Sequence, residues 1–169
     1  MRGERSRGPL TRSVNVERLP QGRGAVTVEA SAEECSALAR DFGIPAIREL
    51  VGRFALAGST GRLEVKGRVE AIVTQVCTVT LEPFETAVNE PVEATFTDTD
   101  RLAGTDAEGA DVPDPIVDGR IDFGTLTAEF LALGLDPYPR KPGAVFEPVL
   151  DDAEAGPFDA LSRLRPREG

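Results

Sequence analysis

Histidine and tryptophan are absent from this 169-residue chain, tyrosine and methionine occur once each, and only two cysteines are present. Without histidine, nucleophile triads built on imidazole and imidazole general acid–base chemistry are excluded. Cys35 and Cys77 are 42 positions apart and cannot complete a four-cysteine zinc site. They suggest no disulfide framework either, and they fit a reducing compartment. No apolar run approaches the roughly 18–20 residues that would span a bilayer. Met1-Arg2-Gly3-Glu4-Arg5 leads into no apolar stretch of the kind found in signal peptides. The expected location is therefore cytoplasmic, with no membrane partner. No GxxxxGK[ST] phosphate loop is present, and Gly22-Arg23-Gly24 lacks the third glycine of a dinucleotide fingerprint. Twenty-nine acids could place two carboxylates together as a hydrolase does, but such enzymes usually line their sugar subsites with aromatics, which make up only 5% of the chain, so an enzyme is the minority reading. The expectation is a non-enzyme with no catalytic residues, no cofactor and no metal.

What remains is a chain of one-domain length, able to bury roughly two-thirds of its unfolded surface. Its core must come from Val, Leu, Ile, Ala and eight Phe, while 17 Gly and 13 Pro imply many turns. Nineteen Lys and Arg against 29 Asp and Glu leave a net charge of −10. That balance argues against a protein that coats DNA, RNA or an anionic membrane, because long-range attraction to phosphate needs a basic face. The charge is uneven: residues 1–24 hold six Arg against two Glu, and residues 98–122 hold eight acids against two Arg. Basic ends on an acidic chain can touch RNA locally, but they serve equally as solvated arms.

Residues 1–12 are rich in Arg, Ser and Gly and are expected to form a disordered basic arm. Val14-Asn15-Val16 and Ala25-Val26-Thr27-Val28-Glu29 both alternate apolar and polar residues, with a turn at Gln21–Gly24 between them. That pattern predicts a hairpin. Ser31-Ala32-Glu33-Glu34 has the form of a capping box, and Ala32, Cys35, Leu38, Ala39 and Phe42 recur at helical spacing up to Gly43. Cys35 falls on the apolar face, as a small hydrophobe would. From Ile47 the period becomes that of a strand, turning at Gly58–Gly61. Leu63, Val65, Gly67, Val69, Ala71 and Val73 then alternate with Arg62, Glu64, Lys66, Arg68 and Glu70, leaving one sheet face wet. Phe84–Phe96 predicts a further long strand or broken hairpin, with Pro91 marking an edge or bulge.

Residues 98–114 are acidic and aperiodic, as a long mobile loop would be, and their carboxylate spacing lacks the pattern of a calcium loop. Pro115-Ile116-Val117 suggests a short strand. Asp122 or Thr125 then caps a second helix running to about Leu135. Asp136-Pro137-Tyr138-Pro139-Arg140-Lys141-Pro142 follows as a stiff prolyl segment. Residues 147–169 form a tail whose Pro157–Leu164 portion has the pattern of a short amphipathic helix. The predicted fold is α+β: a twisted antiparallel meander packed against two helices, in a single domain over 13–146 with flexible termini and the long acidic loop.

The wet strand face interleaves its cations with Glu64 and Glu70, which dilutes any attraction to RNA. Arg140-Lys141 differs, because two cations on a rigid, low-entropy segment make a recognition point. A helix C-terminus also favours cations through its dipole, so both readings stand.

Three segments carry a family resemblance: Val73-Thr74-Gln75-Val76-Cys77-Thr78-Val79-Thr80-Leu81-Glu82-Pro83-Phe84, Asp118-Gly119-Arg120-Ile121-Asp122-Phe123-Gly124, and Leu133-x-Leu135-Asp136-Pro137-Tyr138-Pro139-Arg140. In this order, and followed by Pro157-Phe158-x-x-Leu161-x-x-Leu164, they resemble the YceD family from about residue 14 onwards. The resemblance implies a non-enzymatic factor in synthesis, processing or accumulation of 23S ribosomal RNA, with a ribosomal protein or precursor 23S rRNA as partner. Many members carry Cys-x-x-Cys before the Pro-Phe; here the pair is Cys77 and Thr80, so no metal role is carried over. Cys77 is then expected to be a packing residue. The candidate binding residues are Asp122, Asp136, Tyr138, Arg140 and Lys141, each of which could instead serve as a cap or turn former.

Overall fold

A computed structural model of the chain describes residues 8–98 and 113–146. Most of the predicted acidic loop, residues 1–7 of the basic arm and the tail with its terminal helix lie outside these residues. In chain order the elements are β1 (Ser13–Asn15), a 3-10 turn (Pro20–Gly22), β2 (Arg23–Glu29) and α1 (Ala32–Phe42). There follow β3 (Ala46–Ser59), β4 (Arg62–Val76), β5 (Pro83–Asp98), β6 (Asp114–Ile116), β7 (Arg120–Asp122) and α2 (Phe123–Gly134). Strands β2-β3-β4-β5-β6 form one sheet in that order, antiparallel except for the short parallel β6, and β1 pairs with β7 in a second, two-stranded sheet. The fold is α+β, as the alternation of strand and helix periods predicts.

Strict alternation in β4 explains the sheet's dry face. Leu63, Val65, Val69 and Val73 are fully buried while Arg62, Lys66 and Arg68 between them are exposed. Helix α1 starts where its capping box says it should. The hydroxyl of Ser31 accepts the backbone N–H of Glu34 at 3.2 Å, and the Glu34 carboxylate accepts the N–H of Ser31 at 2.8 Å. It ends at Gly43, in the left-handed region at φ 65°. Helix α2 lies close on the dry face. A Cβ at Gly52 of β3 would sit 2.5 Å from the Thr127 hydroxyl and 2.8 Å from the Phe54 ring, so only glycine lets the helix approach there. The rings of Phe54 and Phe123 meet at 5.3 Å between centroids, tilted by 43°.

Two expectations are corrected. Val14-Asn15-Val16 does not form a hairpin with Ala25–Glu29. Its strand β1 pairs instead with β7, Ser13 opposite Asp122 and Asn15 opposite Arg120. Short alternating segments fix the face a strand buries but not its partner, and here Val14 faces the buried Ile121. Nor do the last residues of the arm, 8–12, belong to a disordered segment. Leu10 is 1% exposed, and the Arg12 guanidinium grips both oxygens of Glu34 at 2.7 and 2.9 Å while also donating to the carbonyl of Glu29 at 3.1 Å. One apolar side chain and one bidentate pair outweigh a composition that reads as disorder. Strand β5 runs unbroken through Pro91. Pro91 lies opposite Arg68 of β4, and no described strand pairs with it on the other side, since β6 meets only Phe96–Asp98.

Candidate functional site

Between β4 and β5 the chain turns in six residues, Cys77–Glu82. The N–H of Cys77 donates to the carbonyl of Glu82 and the N–H of Leu81 to the carbonyl of Cys77, both at 2.9 Å. The turn forces Leu81 to φ 58°, a left-handed conformation that costs a side chain of this size about 1–2 kcal/mol. The same residue is 76% exposed. Backbone and solvent therefore both disfavour leucine at this position, where glycine or asparagine would be unstrained.

The prolyl segment after α2 is clamped onto this turn. Asp136 accepts the N–H of Tyr138 on its own carboxylate at 2.9 Å, a local turn of the kind short acidic side chains make. Its carbonyl accepts the side-chain amide of buried Gln75 at 3.0 Å. The carbonyl of Pro139 accepts both the N–H and the hydroxyl of Thr78, at 2.8 and 3.2 Å. The N–H of Lys141 donates to the sulfur of Cys77 at 3.3 Å, and its ammonium pairs with Glu82 at 2.9 Å. Pro137, Pro139 and Pro142 fix φ along the run, so little entropy is left to lose on binding. Tyr138 is 74% exposed on this rigid support, and Arg140, also exposed, makes no ion pair with any described residue.

Cys77 is completely buried among these donors. The Thr80 hydroxyl and then the Thr80 backbone N–H, with lesser help from the amides of Lys141 and Val79, pull its thiol down to about 6 against the opposing effect of burial. The sulfur accepts two amides, one from each segment, and both favour its charged form. The Lys141–Glu82 pair holds the Glu82 carboxyl below its ordinary value and raises that of Lys141. Beside the junction lies an open groove of about 400 Å³, lined mainly by Phe42, Ile44, Val76, Leu135, Pro137 and Pro139.

The structure brings together four of the five candidate residues. Asp136, Tyr138, Arg140 and Lys141 share the junction. Asp122 does not, because it sits at the other end of α2, whose 12 residues span about 18 Å. There one carboxylate oxygen accepts the N–H groups of Arg12, Gly124 and Thr125 at 2.7, 3.0 and 3.2 Å, which makes Asp122 the helix cap rather than Thr125. Two residues at the junction escaped the sequence reading: Cys77 as the hydrogen-bonded centre, and Leu81 as an exposed, strained tip. A leucine inside a short polar turn was the available sign of the second. Among the described residues, no group of three or more acidic or cysteine side chains is placed to hold a metal ion. No helix among them is long and apolar enough to cross a membrane.

The family model for the large ribosomal RNA subunit accumulation protein YceD matches residues 65–160. That span begins in β4 and takes in the Cys77–Glu82 turn, α2 and the prolyl segment. No curated protein and no solved structure matches the chain.

Proposed function

Because the chain belongs to the YceD family, whose name records accumulation of large-subunit ribosomal RNA, we propose that it is a non-enzymatic ribosome-biogenesis factor. It supports synthesis, processing or stability of 23S rRNA by binding an assembly partner, either a ribosomal protein or the precursor RNA. Binding runs through Tyr138–Lys141 and the neighbouring sheet face. A cytoplasmic setting follows from this role.

The observation that carries this reading is the clamped prolyl segment within the family span. Polar contacts from Gln75, Thr78 and Cys77 fix its backbone and Glu82 holds the Lys141 side chain, yet the side chains of Tyr138 and Arg140 are left exposed to water. Rigid backbone with exposed aromatic and cationic side chains is how a recognition element lowers the entropy lost on binding. The net charge of −10 favours encounter with basic ribosomal proteins, and the eight acids of residues 98–122 contribute much of it.

The test is the ratio of large- to small-subunit rRNA, with sucrose-gradient profiles, in cells lacking the protein. A selective loss of large-subunit RNA that wild-type chain restores, and chain with Tyr138→Ala and Arg140→Ala does not, is the expected result. An unchanged ratio would sink the reading and leave a general protein-interaction module.

A further inference from the structure

Of the large apolar side chains left in water among the described residues, three belong to the turn, the groove beside it or the prolyl segment clamped onto it. Leu81 is 76% exposed, Tyr138 74% and Val76 41%. Val76 lines the groove, Leu81 lies in the turn that the prolyl segment grips, and Tyr138 belongs to that segment. Singly exposed apolar residues are ordinary, but several on one turn and its clamped segment, beside a groove of mixed polar and apolar lining, mark an interaction surface. Leu81 adds a separate argument. Its left-handed backbone and its exposure both run against leucine. The side chain is held out at the tip of a turn that Cys77, Glu82 and the prolyl segment make rigid.

We propose that Leu81 and Tyr138, with the adjoining groove, form a docking surface for a basic protein that inserts an apolar side chain between them. The proposal rests on the ribosome-biogenesis reading and deepens it by choosing between protein and RNA. Three observations favour protein. Arg140 is the only cation of the prolyl run without an ion pair among the described residues, Lys141 being spent on Glu82. One free guanidinium is a thin phosphate site, whereas RNA grooves collect several cations. Tyr138 is a single stacking face with no second exposed aromatic among the junction residues named here, whereas Leu81 and Val76 beside it offer bases none and offer a protein side chain a dry contact. Finally, a chain of net charge −10 repels polyphosphate at long range and attracts a basic polypeptide. The groove's walls of Phe42, Ile44 and Pro137 suit an aliphatic or aromatic anchor, and the exposed carboxylate of Asp136 in its lining can meet a cation.

The experiment places a photo-cross-linking phenylalanine derivative at position 81, or at position 138, of the full chain in its own cells. A control carries it at Ala55, on the outer sheet face. Adducts are sorted by nuclease and protease and identified by mass spectrometry. The expected result is one protein of basic isoelectric point, trapped from 81 and 138 and not from 55. That protein, purified, should bind the wild-type chain and bind Leu81→Asp at least tenfold more weakly. Aspartate tolerates the left-handed backbone, so this variant keeps its melting temperature. Nuclease-sensitive adducts, an acidic partner, equal labelling from 55, or no adduct would each overturn the proposal. Loss of large-subunit RNA in the deletion strain is read separately, so the docking surface can fail while the function stands.

Discussion

The backbone N–H of Lys141 donates to the sulfur of Cys77 at 3.3 Å, across 64 positions of sequence. One sulfur thus accepts amides from its own turn and from the segment that follows the last helix. The exposed groups of the proposed surface are arranged around that atom. Its charge state is therefore coupled to how firmly the prolyl segment is held.

Replacing Cys77 with alanine should change the pH dependence of stability and not only its size. Hydrogen bonding lowers this thiol from its ordinary 9.0 to about 6 in the folded chain. A depressed acid stabilises the fold fully above its unfolded value, progressively less as pH falls, and not at all below its folded value. The gap in urea midpoint between wild type and Cys77→Ala should widen steadily from pH 6 to pH 9. A gap that stays constant over that range would contradict the assignment.

Arg12→Ala should release Glu34. The paired guanidinium, helped by the Ser31 amide, holds that carboxyl down at about 2. Both partners are partly exposed, 38% and 21% at the side chain, so the loss is put at about 1 kcal/mol rather than the full shift. The stabilisation is complete above the ordinary value of 4.5 and disappears as pH falls through about 2. Carboxyl NMR titration should show Glu34 rising towards 4.5 in the variant, with the two unfolding curves converging in strong acid.

Asp122→Ala removes the acceptor for three backbone donors at once. Loss of a helix cap costs about 1–2 kcal/mol, and the orphaned Arg12 amide adds to it. Asp122→Asn, which keeps an oxygen in place, should lose less than half as much in urea unfolding. Equal losses in the two variants would show that charge, not the hydrogen bonds, matters here.

Leu81→Gly should raise stability slightly, by up to about 1 kcal/mol, because relief of the left-handed strain exceeds the entropy a glycine adds to the unfolded chain. Thermal melting should therefore move upward in a variant that loses its partner. A destabilised Leu81→Gly would mean that the leucine is held by contacts within the domain.

Gly52→Val should be damaging out of proportion to its place in a strand. A Cβ there is already 2.5 Å from the Thr127 hydroxyl, so α2 must lift from β3. Overpacking of this kind costs about 1–3 kcal/mol, read as a fall in melting temperature. A Tm within a degree of wild type would show that the helix yields freely.

Local rules served the sequence reading well where the determinants lie close together. The Ser31–Glu34 box, the left-handed Gly43 and the period of β4 need only neighbours within a few residues, and all three are found as predicted. Partner choice over long distances was not legible. Val14 and Ile121 face each other because the fold brings distant segments together, and nothing in either segment specifies the other. At the junction, prolines announced a rigid segment, but the donors that fix it come from Gln75, Thr78 and Lys141 at separations of about 60 positions. Cys77 read as a packing residue because an apolar neighbourhood is visible in sequence and converging amides are not.

The pairing of β1 with β7 has a kinetic consequence. Arg12 and Asp122, joined at 2.7 Å, are 110 positions apart, so this small sheet closes one of the longest loops in the domain. Loops of that length form slowly, and the β3–β4 and β4–β5 hairpins, whose contacts are local, have no need to wait for it. The first strand to leave the ribosome is therefore among the last to find its place. Until β7 and the cap of α2 exist, Leu10 and Val14 have nowhere to be buried, and the unfinished chain shows apolar surface at its front end.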